Sequence, residues 1–378
     1  MNRLTRPETR LVVQVAPYYP PHLGGAEDVA LAIAKGLAER GAVEVLTSTS
    51  GASRVPSTER EANLVVRRLF TFEFAHIPFM PTLLPRLLRV PRAAAVHVHV
   101  TQAYVAEMVW LASILRRRPF VAHFHGDVPR SGRLGALFTV YKRWIFGRTL
   151  RAAERVIVLS AGQVEFLEER YGVMRERLVV LPNAIGPEFF REPSQRPSHD
   201  GPFRLLFVGR LSPQKNVPRL LRAVAAVSLP VELVIVGDGE QRAMLQDLIR
   251  ELGLGSARMV GAVHGEELVG WYRWADAFVL SSNTEGMGLV LVEAMASGVP
   301  VVCTDVPWTA DTVGSDALLA SPDPTALARG IERLILDPIL RADLARGGYE
   351  RAKRYGSIEE WQGFEMLSAI YETLTVVP

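Results

Sequence analysis

Short runs that are β-branched and apolar on both faces alternate along this chain with stretches of helical length. In the first half the runs are Leu11–Ala16, Val43–Thr47, Leu64–Leu69, Val96–Val100, Phe120–Phe124, Arg155–Leu159 and Leu178–Leu181. Helical stretches such as Ala26–Arg40 and Gln102–Leu115 lie between several of them. A strand that is apolar on both faces belongs inside a sheet covered on both sides, which is the habit of parallel sheets. The polar, proline-rich segment Arg191–Pro202 then reads as a linker. After it the rhythm restarts, with strands predicted at Phe203–Val208, Val231–Val236, Ala277–Leu280 and Val299–Cys303. Helices are predicted at Val217–Val227, Glu240–Leu252 and Leu289–Ser297. Near the end, Ser357–Leu374 predicts one amphipathic helix, with Trp361, Phe364, Leu367, Ile370 and Tyr371 near one face.

This pattern predicts an α/β chain with two parallel-sheet domains of similar construction. Ligands of such open sheets sit beyond the carboxyl ends of the strands, so the chemistry is sought in loops that follow strands, in a cleft between the domains.

Composition narrows the classes. The 378 residues suffice for two or three domains, and the apolar share of 48% with 22% charged is that of a globular protein. Cys303 is the single cysteine, which excludes an intrachain disulfide and a cysteine-based zinc cluster. The first apolar run is too short for a signal-peptide core and stops at Pro17, and no run of about 18 apolar residues exists to span a membrane. A cytoplasmic protein is expected. Residues 1–200 carry 27 Lys+Arg against 18 Asp+Glu, while residues 201–378 carry 16 against 22. The basic half either attracts anionic partners or is an arginine-biased solvated surface.

Three loops carry candidate chemistry. The first, Pro17 to Glu27, ends in Gly24 and Gly25 at a helix start, where backbone can approach a ligand and free N–H groups can meet an anion; a tight strand-to-helix turn needs the same residues. The second, Gly209-Arg210-Leu211-Ser212-Pro213-Gln214-Lys215-Asn216, places two cations between a strand and a helix, where they could neutralise a leaving diphosphate rather than merely face solvent. The third, Ser281 to Ala296, runs from a strand through a glycine loop into a helix, with Glu285 on the loop and Glu293 about two turns into the helix. Its amides suit phosphate, and its carboxylates suit the hydroxyls of a sugar and a ribose.

The segment EGMGLVLVEAMASGVPVV, with its two glutamates, resembles the signature of the GT-B fold glycosyltransferase family 4, the retaining, group 1 type. The GGAE loop, the Gly209-Arg210…Lys215-Asn216 loop and the His125-Gly126-Asp127 loop match in the same order, so the resemblance covers nearly the whole chain. It implies an acceptor-side domain over 1–195, a donor-binding domain over 203–356, and a last helix, about 357–378, that packs back on the first. It implies a hexosyltransferase using a nucleotide-diphosphate sugar, a UDP-sugar before a GDP-sugar, without metal or other cofactor. Arg210 and Lys215 would hold the diphosphate, with Gly209 beside them. Glu285 would hold sugar hydroxyls, helped by Gly286, Met287 and Gly288. Leu289 and Val290 would meet the phosphate and Glu293 the ribose. Gly261 and Val263 would cradle the base, and Gly24 and Gly25 would approach the diphosphate or the acceptor. His125 would stand against the donor sugar, which makes His125, Glu285, Arg210 and Lys215 the expected catalytic group.

The mechanism so implied is front-face substitution with retention, since no nucleophile suits a double displacement. Asn183-Ala184-Ile185 replaces a more usual Asn-Gly-Val, and Met287 stands where an aromatic is frequent; neither removes a charged group, and the second alters the sugar pocket, which leaves the donor sugar open. His97 and His99 suggest either a metal pair or packed strand residues; with no carboxylate beside them in sequence, the packed reading is preferred. Two stretches, Arg67–Arg92 and Arg133–Arg155, mix aromatic and basic residues. They read either as helices lying on an anionic membrane, with a lipid-linked acceptor at its inner face, or as a core-facing helix and a loop. Other expected acceptors are carbohydrates or small molecules, and no nucleic-acid partner is expected. A phosphorylase, an epimerase and a nucleotide-sugar sensor remain as rivals on the same architecture. The absence of GxGxxG after the first strand and of GxSxG argues against a nicotinamide oxidoreductase and a serine hydrolase.

Overall fold

A computed structural model of the chain describes residues 10–22, 24–52, 55–74, 77–127, 140–193 and 200–374. The chain divides into two compact units, Met1–Pro182 with Gln362–Pro378, and Asn183–Trp361. Each is built on one mainly parallel sheet with helices in its crossovers, the architecture of the GT-B fold.

The first unit contains β1 (Val12–Val15), β2 (Val43–Ser48), β3 (Thr58–Glu61), β4 (Leu64–Leu69), β5 (Phe72–Phe74), β6 (Ile77–Phe79), β7 (Ala95–Val100), β8 (Val121–Phe124), β9 (Arg155–Val158) and β10 (Leu178–Val180). Its eight-stranded sheet has the order β10-β9-β8-β7-β1-β2-β4-β3, parallel except for the β3–β4 pair, and β5 and β6 form a separate hairpin. The inner strands β1, β7 and β8 are buried along their whole length, as strands covered on both faces must be. The chain lays strands to one side of β1 and returns to its other side with β7, so the switch point lies between β1 and β7. Helix Gly25–Ala38 follows β1, and helix Gly363–Thr373 closes the unit. Phe364 packs so closely on Gly36 that a Cβ there would lie 2.0 Å from its ring. Arg10 donates to the Tyr371 and Leu374 carbonyls at 2.5 and 2.8 Å.

The second unit contains β11 (Phe203–Val208), β12 (Val231–Val236), β13 (Ala257–Gly261), β14 (Ala277–Leu280), β15 (Val301–Thr304) and β16 (Leu318–Ala320), ordered β13-β12-β11-β14-β15-β16 and parallel throughout. Its switch point lies between β11 and β14.

The structure corrects the sequence reading in places. The final amphipathic stretch is a short 3-10 turn, Ile358–Glu360, followed by helix Gly363–Thr373. The strand expected at Val299–Cys303 is Val301–Thr304, because Pro300 has no N–H to donate. Five strands, β3, β5, β6, β13 and β16, are not anticipated: β3 and β5 are largely or wholly exposed, β13 is a half-exposed edge, and β6 and β16 are apolar but only three residues long. Arg67–Arg92 is not helical as a whole. It holds the end of β4, the β5–β6 hairpin and one seven-residue helix, Leu83–Arg89. Among the described residues no helix is long and apolar enough to cross a membrane.

Candidate active site

In the second unit the loops after β11 and β14 lie side by side at the switch point, stitched by side chains. Lys215 Nζ lies 2.7 Å from Glu285 Oε1, and Ser282 Oγ donates to the same oxygen. Glu285 is buried, so its charge is tolerated because an ammonium and a hydroxyl meet it. Ser281 Oγ donates to the Lys215 and Asn216 carbonyls at 2.9 and 3.1 Å. Asn216, in left-handed conformation, caps helix Val217–Ala226 by accepting from the Arg219 amide, and its Nδ2 donates to Asn283 Oδ1 at 3.1 Å. Arg219 reaches across to the carbonyls of Ser281 and Ser282. The second and third sequence motifs are therefore one structure. Arg210 is exposed; its carbonyl accepts from the Ser212 amide at 2.9 Å, and its side chain makes no hydrogen bond or ion pair among the described residues.

Helix Leu289–Ala296 starts on Gly288, whose φ of +69° favours glycine, with no side chain capping its first turn. The amides of Leu289 and Val290 open this helix, a ready anion site. Met287 is buried, and its carbonyl accepts from Thr312 Oγ1 at 2.6 Å. Glu293 accepts a 2.7 Å hydrogen bond from the Tyr272 hydroxyl. Burial, then the Glu293 charge, raises the Tyr272 pKa far above the phenolic range, so this hydroxyl stays a donor. Gly286 sits on the same loop as Glu285. Burial also lifts the Cys303 thiol to about 12, which leaves that cysteine inert.

Gly261 ends β13, and its carbonyl accepts from the Gly237 amide at 2.7 Å; Val263 follows it, half-buried. The sequence reading missed Gly237 and Gly239. A Cβ on Gly237 would stand 2.0 Å from the Gly209 carbonyl oxygen, and one on Gly239 2.5 Å from that of Leu211. These glycines let the loop after β12 close onto the loop that carries Arg210. The signal was present as the Gly-Asp-Gly run directly after a strand.

In the first unit Gly24 caps and Gly25 begins the helix after β1, while His22 Nδ1 meets Glu27 Oε1 at 2.8 Å. His125 stands just past β8, its amide donating to the Val100 carbonyl at 3.2 Å. Behind it lie His97, His99 and His123, all buried. The four rings stack with centroids 4.3–5.4 Å apart and planes within 28°. Burial lowers all four pKa values, His97 and His125 to about 3. Ring nitrogens of His97, His99 and His123 lie within 4.8 Å of one another, close enough to ask whether they hold a metal. Near-parallel rings aim their nitrogens side by side rather than at one point, so chelation would require the rings to turn. Asp127 accepts from Lys142 Nζ and the Tyr171 hydroxyl, both at 2.7 Å, which ties down the start of the loop after His125. Lys142 is thereby buried and is not part of a basic surface. Residues 133–139 of the second basic stretch, Phe138 included, lie outside the described residues.

Two family models tile the chain: Glycosyltransferase Family 4 over residues 23–189 and Glycosyl transferases group 1 over 189–351. The chain belongs to the family 4, group 1 glycosyltransferases. Such an enzyme transfers a sugar from a nucleotide sugar. A D-inositol 3-phosphate glycosyltransferase of Nocardiopsis dassonvillei is 28% identical, over 88% of this chain and 86% of its own. An exopolysaccharide phosphotransferase of Streptomyces coelicolor is 34% identical over 56% of this chain, and the match spans only 23% of that relative's length. Among solved structures, the sucrose-phosphate synthase of Thermosynechococcus elongatus has the same fold, with a TM-score of 0.78 at 22% identity, covering 97% of this chain and 99% of that one. HepE of Anabaena, solved in complex with UDP and glucose, is similar with a TM-score of 0.74 at 20% identity over 96% of this chain and all of that one.

Proposed function

We propose that this glycosyltransferase is retaining and metal-independent, and that it takes its sugar from a UDP-sugar, with a GDP-sugar as the next choice. The observation that carries the reading is the Lys215–Glu285 pair beside the uncapped helix Leu289–Ala296 and the unpartnered Arg210. A cation, a second cation and a helix N-terminus at one switch point suit a diphosphate. The UDP bound in HepE supports the order of bases. In this reading the second unit binds the donor and the first binds the acceptor.

The roles follow from the chemistry of each group. Arg210 and Lys215 hold the diphosphate, with Gly209 giving room, and the amides of Leu289 and Val290 meet a phosphate oxygen. Glu285 spends Oε1 on Lys215 and Ser282 and offers Oε2 to sugar hydroxyls. Gly286, Met287 and Gly288 shape the sugar pocket around it. Glu293, oriented by Tyr272, takes the ribose, and the backbone at Gly261 and Val263 takes the base. Gly24 and Gly25 face the diphosphate or the acceptor, and His125 faces the donor sugar.

In the reaction the bond from the anomeric carbon to the diphosphate oxygen breaks while the acceptor oxygen bonds to the same face. The acceptor proton passes to the departing phosphate. Arg210, Lys215 and the helix amides stabilise the charge that gathers on the leaving group, without needing a metal to do so. Isothermal titration of UDP tests the donor site: Arg210→Ala should weaken binding, and an unchanged affinity overturns the assignment.

The acceptor is a carbohydrate, a lipid-linked sugar or a small hydroxylated molecule. A membrane-facing version, at the inner surface of an anionic membrane in the cytoplasm, is favoured by one patch. Val140, Trp144 and Ile145 are 55%, 54% and 44% exposed, and Arg143 and Arg148 lie over the Trp144 ring at 5.9 and 5.7 Å. An indole flanked by guanidinium groups suits an anionic headgroup layer. Sedimentation with anionic and neutral liposomes decides it; equal binding to both counts against the membrane.

A further inference from the structure

The buried histidines of the first unit have no role in the reaction as described, yet they are expensive. His97 Nε2, His99 Nε2 and both ring nitrogens of His123 are buried without a hydrogen-bond partner, as are both amide atoms of Gln14, paired in register with His97. Each buried, unmade hydrogen bond is destabilising, because the group has left water without finding a partner. A metal would answer the nitrogens, but the near-parallel stack does not converge on one point, and no carboxylate among the described residues joins the cluster to offset a buried dication.

One contact in the stack links it to the end of β8. His99 Nδ1 lies 2.9 Å from His125 Nε2. Burial keeps both rings neutral, so each carries one ring proton. One nitrogen therefore donates and the other accepts. If His99 accepted at Nδ1, its proton would sit on Nε2, a buried N–H without an acceptor. If His99 donates from Nδ1, only a lone pair is left unmet at Nε2. Orphaned N–H groups are the rarer kind in folded proteins. His125 is half-buried just past the end of β8, and its Nδ1 makes no hydrogen bond among the described residues and is not among the fully buried orphans.

We infer that His99 is a positioning residue: its Nδ1–H donates to His125 Nε2 and fixes His125 as the Nδ1–H tautomer, so that His125 presents a hydrogen-bond donor at the end of β8. The inference rests on the reading that His125 faces the donor sugar. An N–H suits a sugar hydroxyl or a phosphate oxygen and cannot remove a proton. That agrees with a reaction in which the departing phosphate takes the acceptor proton. The stacked rings of His97 and His123 then hold His99 in the plane it needs to reach His125.

The test is long-range proton–nitrogen NMR on protein labelled with ¹⁵N-histidine, with His125→Asn used to assign the signal. Wild type should show His125 as the Nδ1–H form, against the Nε2–H form that histidine prefers in water. His99→Asn, whose amide nitrogen takes the place of Nδ1, should keep that form; His99→Leu should lose it. Turnover, read as release of UDP from its sugar conjugate, should fall about 10²-fold in kcat for His99→Leu with little change in the donor KM, as for a misplaced reacting contact, and His99→Asn should restore most of it. An Nε2–H His125 in wild type overturns the inference, even if His99→Leu fails to fold. Full turnover in His125→Ala would instead overturn the role of His125 at the sugar and leave the tautomer result standing.

Discussion

The Lys215 ammonium lies 2.7 Å from the Glu285 carboxylate, across the point where the second sheet reverses its strand order. Both side chains are largely buried, at 16% and 5% exposure. The pair thus belongs to the fold as well as to the donor site, and substitutions there report on both.

Lys215→Ala leaves a buried carboxylate with only Ser282 to meet it. Breaking a buried pair from one side costs about 3 kcal/mol. Urea denaturation should show a loss of that order, with Glu285→Gln losing less because its amide still bonds Lys215 or Ser282. Equal stability of wild type and Lys215→Ala would mean that the pair does not form.

Arg210 is the cleaner probe of catalysis, because it is exposed and unpartnered. Arg210→Ala should leave the thermal midpoint unchanged. It should weaken UDP binding about tenfold, the worth of a charge-assisted hydrogen bond. Calorimetric titration beside a melting curve separates the two effects, and unchanged affinity removes Arg210 from the diphosphate site.

Gly237 and Gly270 make a matched contrast. A Cβ at Gly237 would collide with the Gly209 carbonyl at 2.0 Å, at a φ of +136° that side chains avoid, while at Gly270 it would meet nothing within 4 Å. Gly237→Ala should destabilise by more than about 2 kcal/mol. Gly270→Ala, inside helix Gly265–Trp274, should stabilise by up to about 1 kcal/mol. Denaturation curves of the two variants check both signs.

The histidine stack makes stability depend on pH. The folded pKa of His97 is depressed from 6.5 to about 3 by burial, so the unfolded chain takes up a proton that the folded one refuses. Stability is full above the unfolded value near 6.5 and is lost as pH falls from there toward 3. His97 alone contributes a slope of up to about 1.4 kcal/mol per pH unit in that window. Denaturation at pH 7.5, 6 and 5 should show the fall, and His97→Gln should flatten it. A pH-independent midpoint would mean that the rings are already protonated or exposed.

The parallel sheets and the glycine loops were legible because buried parallel strands leave unbroken apolar runs, and because helix-opening loops need glycine. Edge strands such as β3, with Thr58–Glu61 largely exposed, carry no such signal. The Lys215–Glu285 contact was not legible either: both residues were picked out, but 70 positions separate them and only the strand order brings their loops together. Gly237 was missed for a related reason, since its need is set by the backbone of Gly209 and not by its own neighbours. His97 and His99 were read as packed residues and His125 as part of the site; that they form one stack with His123, ending at His125, follows from the register of His99 with His123 on adjacent strands.

Thermal denaturation with UDP, GDP, ADP, dTDP and their common sugar conjugates tests the nucleotide-sugar site of the second unit most directly. A ligand at about 100 times its dissociation constant adds roughly 2.7 kcal/mol, enough to move the midpoint visibly. UDP and its sugars should raise the midpoint most, and Arg210→Ala should abolish the rise. No shift with any nucleotide at millimolar concentration would contradict the site.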